Sequence, residues 1–240
     1  TTTEPIVTVP KEDVETKIHL NGSSATVEGK YATANGSNVA ISHSGSYYID
    51  GTLNNGQIYV EVPDDKADPD TVKLIFNGVN ITGNSAPAIL IKNADKTSIT
   101  VSDGTENTVS DGTSAYTGDN EGCAVIEAKD DLTIKGGDAG TGTLNINANV
   151  QPGVVCNNDL KITGGNININ TLNETEGQDA IKGKTSVTVK GGTVIIDSKG
   201  DGIKSSKGNV DIEAGTVSIK SSKDAIQAET DLNISGGNIG

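Results

Sequence analysis

Hydrophobic and polar residues alternate in short runs along the second half of the chain, and the runs recur at a regular interval. An Asp, a small residue, an Ile and a long polar residue open each repeat. These repeats begin at Asp179, Asp201 and Asp224, which lie 22 and 23 residues apart. Two more runs follow in each repeat, with Val, Ile or Leu at every second position. Because alternation with period two is typical of β-strands, the pattern predicts three short strands per repeat.

Glycines separate these runs, as at Gly191-Gly192 and Gly215, where a chain that turns a corner often needs a positive φ. Looser versions of the same unit occur further back, from about residue 88 onward. Repeats of this length stack with equivalent strands paired about 4.8 Å apart. The sequence therefore predicts an all-β fold, a right-handed parallel β-helix with three-strand coils of 22–23 residues. The six-residue period of left-handed helices and the glycine-rich nonapeptide of calcium rolls are both absent.

The alternation also predicts which side chains fill the interior and where the regular coils begin. Residues 14–240 form the β-helix domain, with 14–60 as an N-terminal cap that holds four of the six aromatic residues and 61–240 as coils. Residues 1–13 read as a linker or stalk. The last residues stop inside a strand pattern, so we expect the natural chain to continue or a neighbour to cover that end. The predicted inward residues of the last coils are Ile181, Val187, Val189, Val194, Ile196, Ile203, Val210, Ile212, Val217, Ile219, Ile226, Leu232 and Ile234.

Composition changes this picture only in part. Hydrophobic residues make up 33% of the chain, aromatics 2%, and the net charge is −14, which would suit a disordered chain. A solenoid with thin aliphatic rows explains the same numbers. All 18 basic residues are Lys, and this balance argues against nucleic-acid binding. No run of 18 apolar residues exists, so we expect no transmembrane segment. Cys123 and Cys156 lack metal-site spacing and are expected to be small buried residues.

The repeated Asp is the main candidate for chemistry. Stacked coils would place the carboxylates of Asp179, Asp201 and Asp224 about 5 Å apart, where like charges repel one another. Ca²⁺ resolves such repulsion and prefers carboxylate and carbonyl oxygens, so we predict a calcium site that Glu176 and Gln178 complete. The alternative is a set of solvated turns. Residues 119–121 are a second calcium candidate, whereas the acidic loop 64–70 reads as solvated.

A second row runs beside this Asp ladder. If Ile181, Ile203 and Ile226 point inward, the strip formed by Ala180, Gly202 and Ala225 is exposed. Lys182, Lys204 and Gln227 flank the strip and are predicted to bind substrate by pairing with uronate carboxylates; ordinary surface lysines are the alternative. The Asn rows at 145, 147, 149 and at 166, 168, 170 are expected to face outward and to hydrogen-bond along a ladder. No nucleophile elbow or phosphate loop occurs.

Longer motifs resemble a known family. Residues 45–53 (GSYYIDGTL), 74–81 (LIFNGVNI) and 104–112 (GTENTVSDG), with the repeated DGIK and GTVSI elements, resemble the clostridial-type β-helix carbohydrate-binding family. The resemblance covers roughly residues 20–240. It implies a secreted or cell-surface protein with a pectate-lyase-like right-handed β-helix. It further implies binding to cellulose and acidic sugars such as polygalacturonate, with several calcium ions.

The same resemblance implies a relation to calcium-dependent polysaccharide lyases of family nine. In those enzymes an Asp cluster holds the catalytic calcium and a Lys is the base. Asp179 and Asp201 match the Asp cluster, and no particular Lys matches the base. We therefore expect a monomeric, non-catalytic polysaccharide-binding protein outside a bacterial cell. The alternatives are a calcium-dependent lyase, in which Lys182 or Lys204 is the base, and a structural adhesin or stalk.

Overall fold

A computed structural model of the chain describes residues 15–84, 86–113, 116, 124–173 and 178–240. These residues form 25 strands and no helix. The strands build one 16-stranded and one 9-stranded sheet, which wind into a parallel β-solenoid of about seven turns. The predicted parallel β-helix is confirmed. Within the described ranges, no helix has the length and hydropathy that crossing a membrane requires.

The N-terminal end of the solenoid is covered by short antiparallel strands. Strand β1 (Glu15–Gly22) pairs antiparallel with β2 (Ala25–Glu28) and parallel with β5 (Gly45–Asn54). Strand β3 (Ala32–Asn35) is the edge strand of the 9-stranded sheet, and it pairs antiparallel with β4 (Asn38–Ile41). From β4 onward the remaining pairs are parallel. Parallel pairing between successive turns thus already occurs at β1 with β5 and at β4 with residues 57–60.

The solenoid has three faces, and the first is the 9-stranded sheet. Each coil contributes one short strand to it, and equivalent residues pair in register from coil to coil. After β4, its strands are β6 (Gln57–Glu61), β8 (Ile89–Asn93), β11 (Ile126–Ala128), β14 (Val154–Cys156), β17 (Ile181–Gly183), β20 (Ile203–Ser205) and β23 (Ile226–Ala228).

The second and third faces belong to the 16-stranded sheet and meet at two long strands, β5 (Gly45–Asn54) and β7 (Thr71–Thr82). The first half of β7 pairs with the second face and its last residues pair with the third. The second face continues with β9 (Lys96–Val101), β12 (Asp131–Gly136), β15 (Asp159–Ile162), β18 (Ser186–Val189), β21 (Val210–Ile212) and β24 (Leu232–Ile234). The third continues with β10 (Glu106–Ser110), β13 (Thr143–Ala148), β16 (Asn166–Thr171), β19 (Thr193–Ser198), β22 (Thr216–Ser221) and β25 (Asn238–Ile239).

Glycines stack at the corner between the second and third faces. Gly165, Gly192, Gly215 and Gly237 all have φ between 82° and 92°, which favours glycine over other residues. A Cβ at Gly192 would lie 2.5 Å from the carbonyl oxygen of Gly165 in the preceding coil. The predicted role of glycine at the corners is confirmed here, because both the backbone conformation and the coil spacing exclude a side chain.

The core consists of stacked aliphatic rows, as the alternation predicts, because β-branched residues suit a pleated sheet. Nine of the thirteen predicted inward residues are at most 2% exposed: Ile181, Val187, Val189, Val194, Ile196, Ile203, Val210, Ile212 and Val217. The other four differ. Ile219 and Ile226 are partly buried, whereas Leu232 and Ile234 are 46% and 53% exposed. They lie in or next to the last coil of this chain, where coils cover them from one side only.

Candidate functional site

The Asp ladder lies at the corner that precedes the first face, and its carboxylates bind the backbone of the next coil. Asp179 Oδ1 accepts the N–H of Asp201 at 3.0 Å, and Asp201 Oδ1 accepts the N–H of Asp224 at 3.2 Å. Asp179 and Asp201 are 4% and 5% exposed, and Asp224 is exposed. Asp179 and Asp201 therefore have a structural role, because each carboxylate accepts a backbone N–H of the following coil.

The Lys row lies beside the ladder on the first face. Lys182, Lys204 and Gln227 are neighbours in register on β17, β20 and β23. Lys204 Nζ donates to Asp201 Oδ2 at 2.8 Å, and the Asp201 side chain is 6% exposed. This hydrogen bond raises the pKa of Lys204 above its ordinary value, although partial burial of the ammonium opposes the effect. The ladder and the Lys row thus meet within one coil.

Gln178 supplies an oxygen whose hydrogen-bonding capacity is unused. The residue is 7% exposed, and its side-chain Oε1 is buried with no hydrogen-bond partner. Its backbone carbonyl accepts the N–H of Gly200 at 3.1 Å, which ties it to the ladder corner of the next coil. Among the described residues, no three His, Cys, Asp or Glu side chains converge as a metal site. Glu176 and residues 119–121 lie outside the described residues.

The expected strip of exposed small residues is wrong for two of its three members. Ala180 and Gly202 are buried, and only Ala225, in the last coil, is exposed. A Cβ on Gly202 would lie 2.5 Å from both the Ala225 carbonyl oxygen and Ile219 Cγ2. The chain turns a corner here, so two successive residues face the interior and strict alternation fails. Small residues are needed because the corner has no room for larger ones.

Two further expectations concern the acidic loop 64–70 and the two cysteines. The loop 64–70 is not simply solvated, because Asp68 accepts the N–H of Ser44 at 2.9 Å and its hydroxyl at 2.6 Å. Cys156 is fully buried, and burial raises the pKa of its thiol to about 11, so it is a small core residue as predicted. Cys123 lies outside the described residues.

The third face carries an outward surface of amides and hydroxyls. Asn168 Nδ2 donates to Asn145 Oδ1 at 2.8 Å, and Asn145 Nδ2 donates to Glu106 Oε1 at 3.0 Å. The predicted Asn ladder therefore exists. It borders a shallow depression of about 270 Å³ that also includes the half-exposed Ile195. The outward row through its centre is Asn80, Thr108, Asn145, Asn168, Ile195 and Ser218.

Comparison with known proteins identifies what class of protein carries this arrangement. The family described as "Carbohydrate-binding domain-containing protein" matches residues 35–240, which is most of the chain. The chain belongs to this carbohydrate-binding family. A "Carbohydrate-binding domain-containing protein" from Acetivibrio thermocellus is 37% identical to it over 134 residues. That alignment covers 55% of this chain and 44% of the relative, so the chain matches less than half of that protein's length.

The carbohydrate-binding chain also has a structural relative. A polysaccharide lyase-like protein from C. thermocellum, solved as a gadolinium derivative, superposes with a TM-score of 0.77 at 32% sequence identity. The match covers 94% of each chain. The resemblance to the β-helix carbohydrate-binding family is therefore confirmed, both in sequence and in fold.

Sequence reasoning found the ladder but missed its hydrogen-bond partners. The pattern at Asp201 indicated charge, but it gave no sign of the N–H of Asp224 or of the Lys204 ammonium as partners. The available signal was the position three residues after the Asp in each DGIK-type element, because Lys204 and Asp201 lie on either side of one short turn. The unused oxygen of Gln178 had no signal of its own, because it depends on burial.

Proposed function

We propose that this protein binds polysaccharide without cleaving it, with an acidic polysaccharide held along the Asp ladder and the Lys row. The observation that carries the proposal is the ion pair between Lys204 and the buried Asp201. A base for β-elimination must lose its proton near neutral pH, whereas the Asp201 carboxylate raises the pKa of Lys204. A protonated Lys204 suits the recognition of a uronate carboxylate instead.

Calcium is the proposed cofactor of this site. Gln178 Oε1 is a buried carbonyl oxygen without a partner, which is the kind of ligand that Ca²⁺ accepts, and Gln178 directly precedes Asp179 in the chain. Asp179, Gln178 and Glu176 would hold the ion, with Asp201 and Asp224 in the coils that follow. A bound Ca²⁺ would supply positive charge that bridges the protein to uronate carboxylates. It would also offset the repulsion between such a ligand and a chain of net charge −14.

Cellulose is the proposed neutral ligand, and the third face supports this assignment. The row through Asn145 and Asn168 offers amide donors and acceptors on a flat sheet, and sugar hydroxyls pair with both. The chain has no Trp, so this surface relies on hydrogen bonds more than on ring stacking. We further propose a monomer located outside the bacterial cell, where plant cell-wall polysaccharides occur.

Sedimentation on insoluble polygalacturonate and on cellulose, with calcium or chelator, tests the proposal. We expect calcium-dependent retention on polygalacturonate and calcium-independent retention on cellulose. Asp179→Asn should abolish the calcium dependence, whereas Asp197→Asn, an exposed third-face carboxylate, should not. Asn168→Ala should weaken retention on cellulose, and Asn233→Ala on the second face should leave it unchanged.

The same mixtures separate binding from lyase activity. Unsaturated uronide products absorb in the ultraviolet, so their appearance with calcium and polygalacturonate reports elimination directly. We expect no product from the wild-type protein. Product formation that is lost in Lys204→Ala or Lys182→Ala would replace the binding proposal with a calcium-dependent lyase.

A further inference from the structure

The second face carries a cluster of lysines around a depression of about 270 Å³. Lys73, Ser98, Thr133 and Lys161 form one outward row in register across β7, β9, β12 and β15. Neighbours in such a row are about 4.8 Å apart, so Lys73 and Lys161 lie roughly 14 Å apart with two hydroxyl residues between them. Lys135 extends from β12 beside this row, and it also lines the depression.

The lysines of this cluster lack the partners that other lysines of the chain have. Among the described residues, no carboxylate lies within ion-pair distance of Lys73, Lys135 or Lys161. In contrast, Lys190 and Lys220 pair with Glu213 and Asp197. The unpaired ammonium groups are therefore available to an external anion.

The carboxylates that line the same depression are already engaged. Asp131 Oδ1 accepts the Asn158 side-chain amide at 2.5 Å and the N–H of Asp159 at 3.3 Å. Asp159 Oδ1 accepts the Ser186 hydroxyl at 2.7 Å. Lys96, the fourth lysine of the lining, is held by Asp95 at 2.8 Å. Asp131 lies in the neighbouring row with Lys96, whereas the row from Lys73 to Lys161 contains two lysines and no carboxylate.

Ser98 provides a second, independent indication of a ligand. The residue is 6% exposed and belongs to the outward row, yet its Oγ is buried without any hydrogen-bond partner. An unsatisfied buried hydroxyl costs about 1–3 kcal/mol, so it calls for an explanation. The flanking lysine side chains are long and flexible, and they can move aside to admit an acceptor. A carboxylate oxygen above Ser98 would accept its O–H and contact the lysines at the same time.

We propose that this second-face depression binds a carboxylate of an acidic polysaccharide directly, without calcium. Lys73 and Lys161 pair with two uronate carboxylates of one chain, and Ser98 Oγ donates to the carboxylate bound by its neighbour Lys73. The inference rests on the proposed polysaccharide binding, but it uses a different face and a different chemistry from the Asp ladder. A span of about 14 Å exceeds one sugar ring, so the site recognises a chain segment and not a lone anion.

Calorimetric titration of the full chain with a short galacturonate oligomer in chelator tests this site. The double substitution Lys73→Gln/Lys161→Gln should weaken calcium-independent binding by at least about tenfold. The matched double substitution Lys190→Gln/Lys220→Gln changes the net charge equally and should stay within about twofold of wild type. Ser98→Ala should weaken binding by a smaller factor, and Ser98→Thr should retain part of it. Circular dichroism checks that each variant folds.

The outcomes separate this proposal from the calcium-dependent one. Binding that occurs only with calcium, or that falls equally in both double variants, overturns the second-face site and leaves the ladder proposal standing. Binding in chelator that depends on Lys73 and Lys161 supports the site, even where Asp179→Asn leaves the calcium dependence unchanged and so overturns the ladder proposal. If inorganic sulfate binds but the oligomer does not, the polysaccharide site is overturned. A strong decline of the oligomer affinity with added salt is expected as well.

Discussion

Asp179 Oδ1 accepts the backbone N–H of Asp201 across one coil of the solenoid, at 3.0 Å. The donor's own carboxylate then accepts the N–H of Asp224 and the Lys204 ammonium. The Asp201 carboxylate thus accepts both a backbone N–H of the neighbouring coil and the ammonium group of a lysine at the same corner. Any ligand of this corner must be accommodated by a network that is already hydrogen-bonded.

Replacing Asp201 should separate the two parts of its role. Asp201→Ala leaves the Asp224 N–H and a partly buried Lys204 without their partner, and we expect a loss of about 3 kcal/mol in the free energy of unfolding. Asp201→Asn keeps an acceptor and should cost about 1 kcal/mol. Urea denaturation at neutral pH measures both. Equal losses in the two variants would contradict a distinct contribution from the Lys204 ion pair.

The buried carboxylate of Asp111, which directly follows the third-face strand β10, should contribute more to the free energy of unfolding than an exposed ion pair. Asp111 is fully buried and accepts the N–H groups of Asn149, Val150 and Gln151 from the next coil, at 2.6–2.9 Å. We expect Asp111→Ala to cost about 2–4 kcal/mol, because three donors lose their acceptor. The control Asp197→Ala removes a largely exposed pair with Lys220 and should cost under about 1 kcal/mol.

The stability of the corner at residues 137–141 should depend on pH through Asp103. Its carboxylate accepts the N–H groups of Ala139 and Thr141, and these backbone hydrogen bonds lower its pKa below 3.8. A lowered folded-state pKa contributes stability that is fully present above the unfolded value and is lost as pH falls through the folded value. We therefore expect the difference in unfolding midpoint between wild type and Asp103→Asn to shrink below about pH 4.

Urea titrations of both proteins across that acidic range give the measurement. The other carboxylates titrate in the wild type and in the variant alike, so the difference isolates Asp103. A difference that stays constant with pH would show that the charge of Asp103 contributes nothing at this corner.

The small residue at the first-face corner should be required for steric reasons. Gly202→Ala places a Cβ 2.5 Å from a backbone oxygen and from Ile219 Cγ2, and we expect a loss of about 2–3 kcal/mol. Gly78→Ala is the control, because Gly78 has a positive φ of 80° but nothing within 4 Å of a Cβ. It should cost only the backbone strain, about 1–2 kcal/mol. Thermal unfolding of both variants checks the order.

The alternation of apolar residues was enough to predict the architecture. Ile181, Ile203 and their equivalents stack because the two-residue period survives along each strand. It fails at corners, and for that reason the sequence placed Ala180 and Gly202 on the surface. Burial at the end of the stack was also misjudged, since Leu232 follows the pattern of inward residues and is nevertheless exposed.

The polar sites were harder to predict than the core, because they depend on distances along the chain that the repeat does not keep constant. Asp111 meets Asn149 across 38 residues, although the later coils repeat every 22 or 23. Loops of different length between the third and first faces shift the numbering. The register of Lys73, Ser98 and Lys161 is therefore invisible until the strands are paired.

The hydrogen bonds of Asp111, Asp179 and Asp201 share one direction: each carboxylate accepts from the coil that follows it. Each of these carboxylates therefore finds its donors only when the following coil is in place, and a single coil cannot satisfy its corner alone. The unit that such a carboxylate stabilises is the junction between two adjacent coils, so a substitution there should weaken the contact between those two coils first.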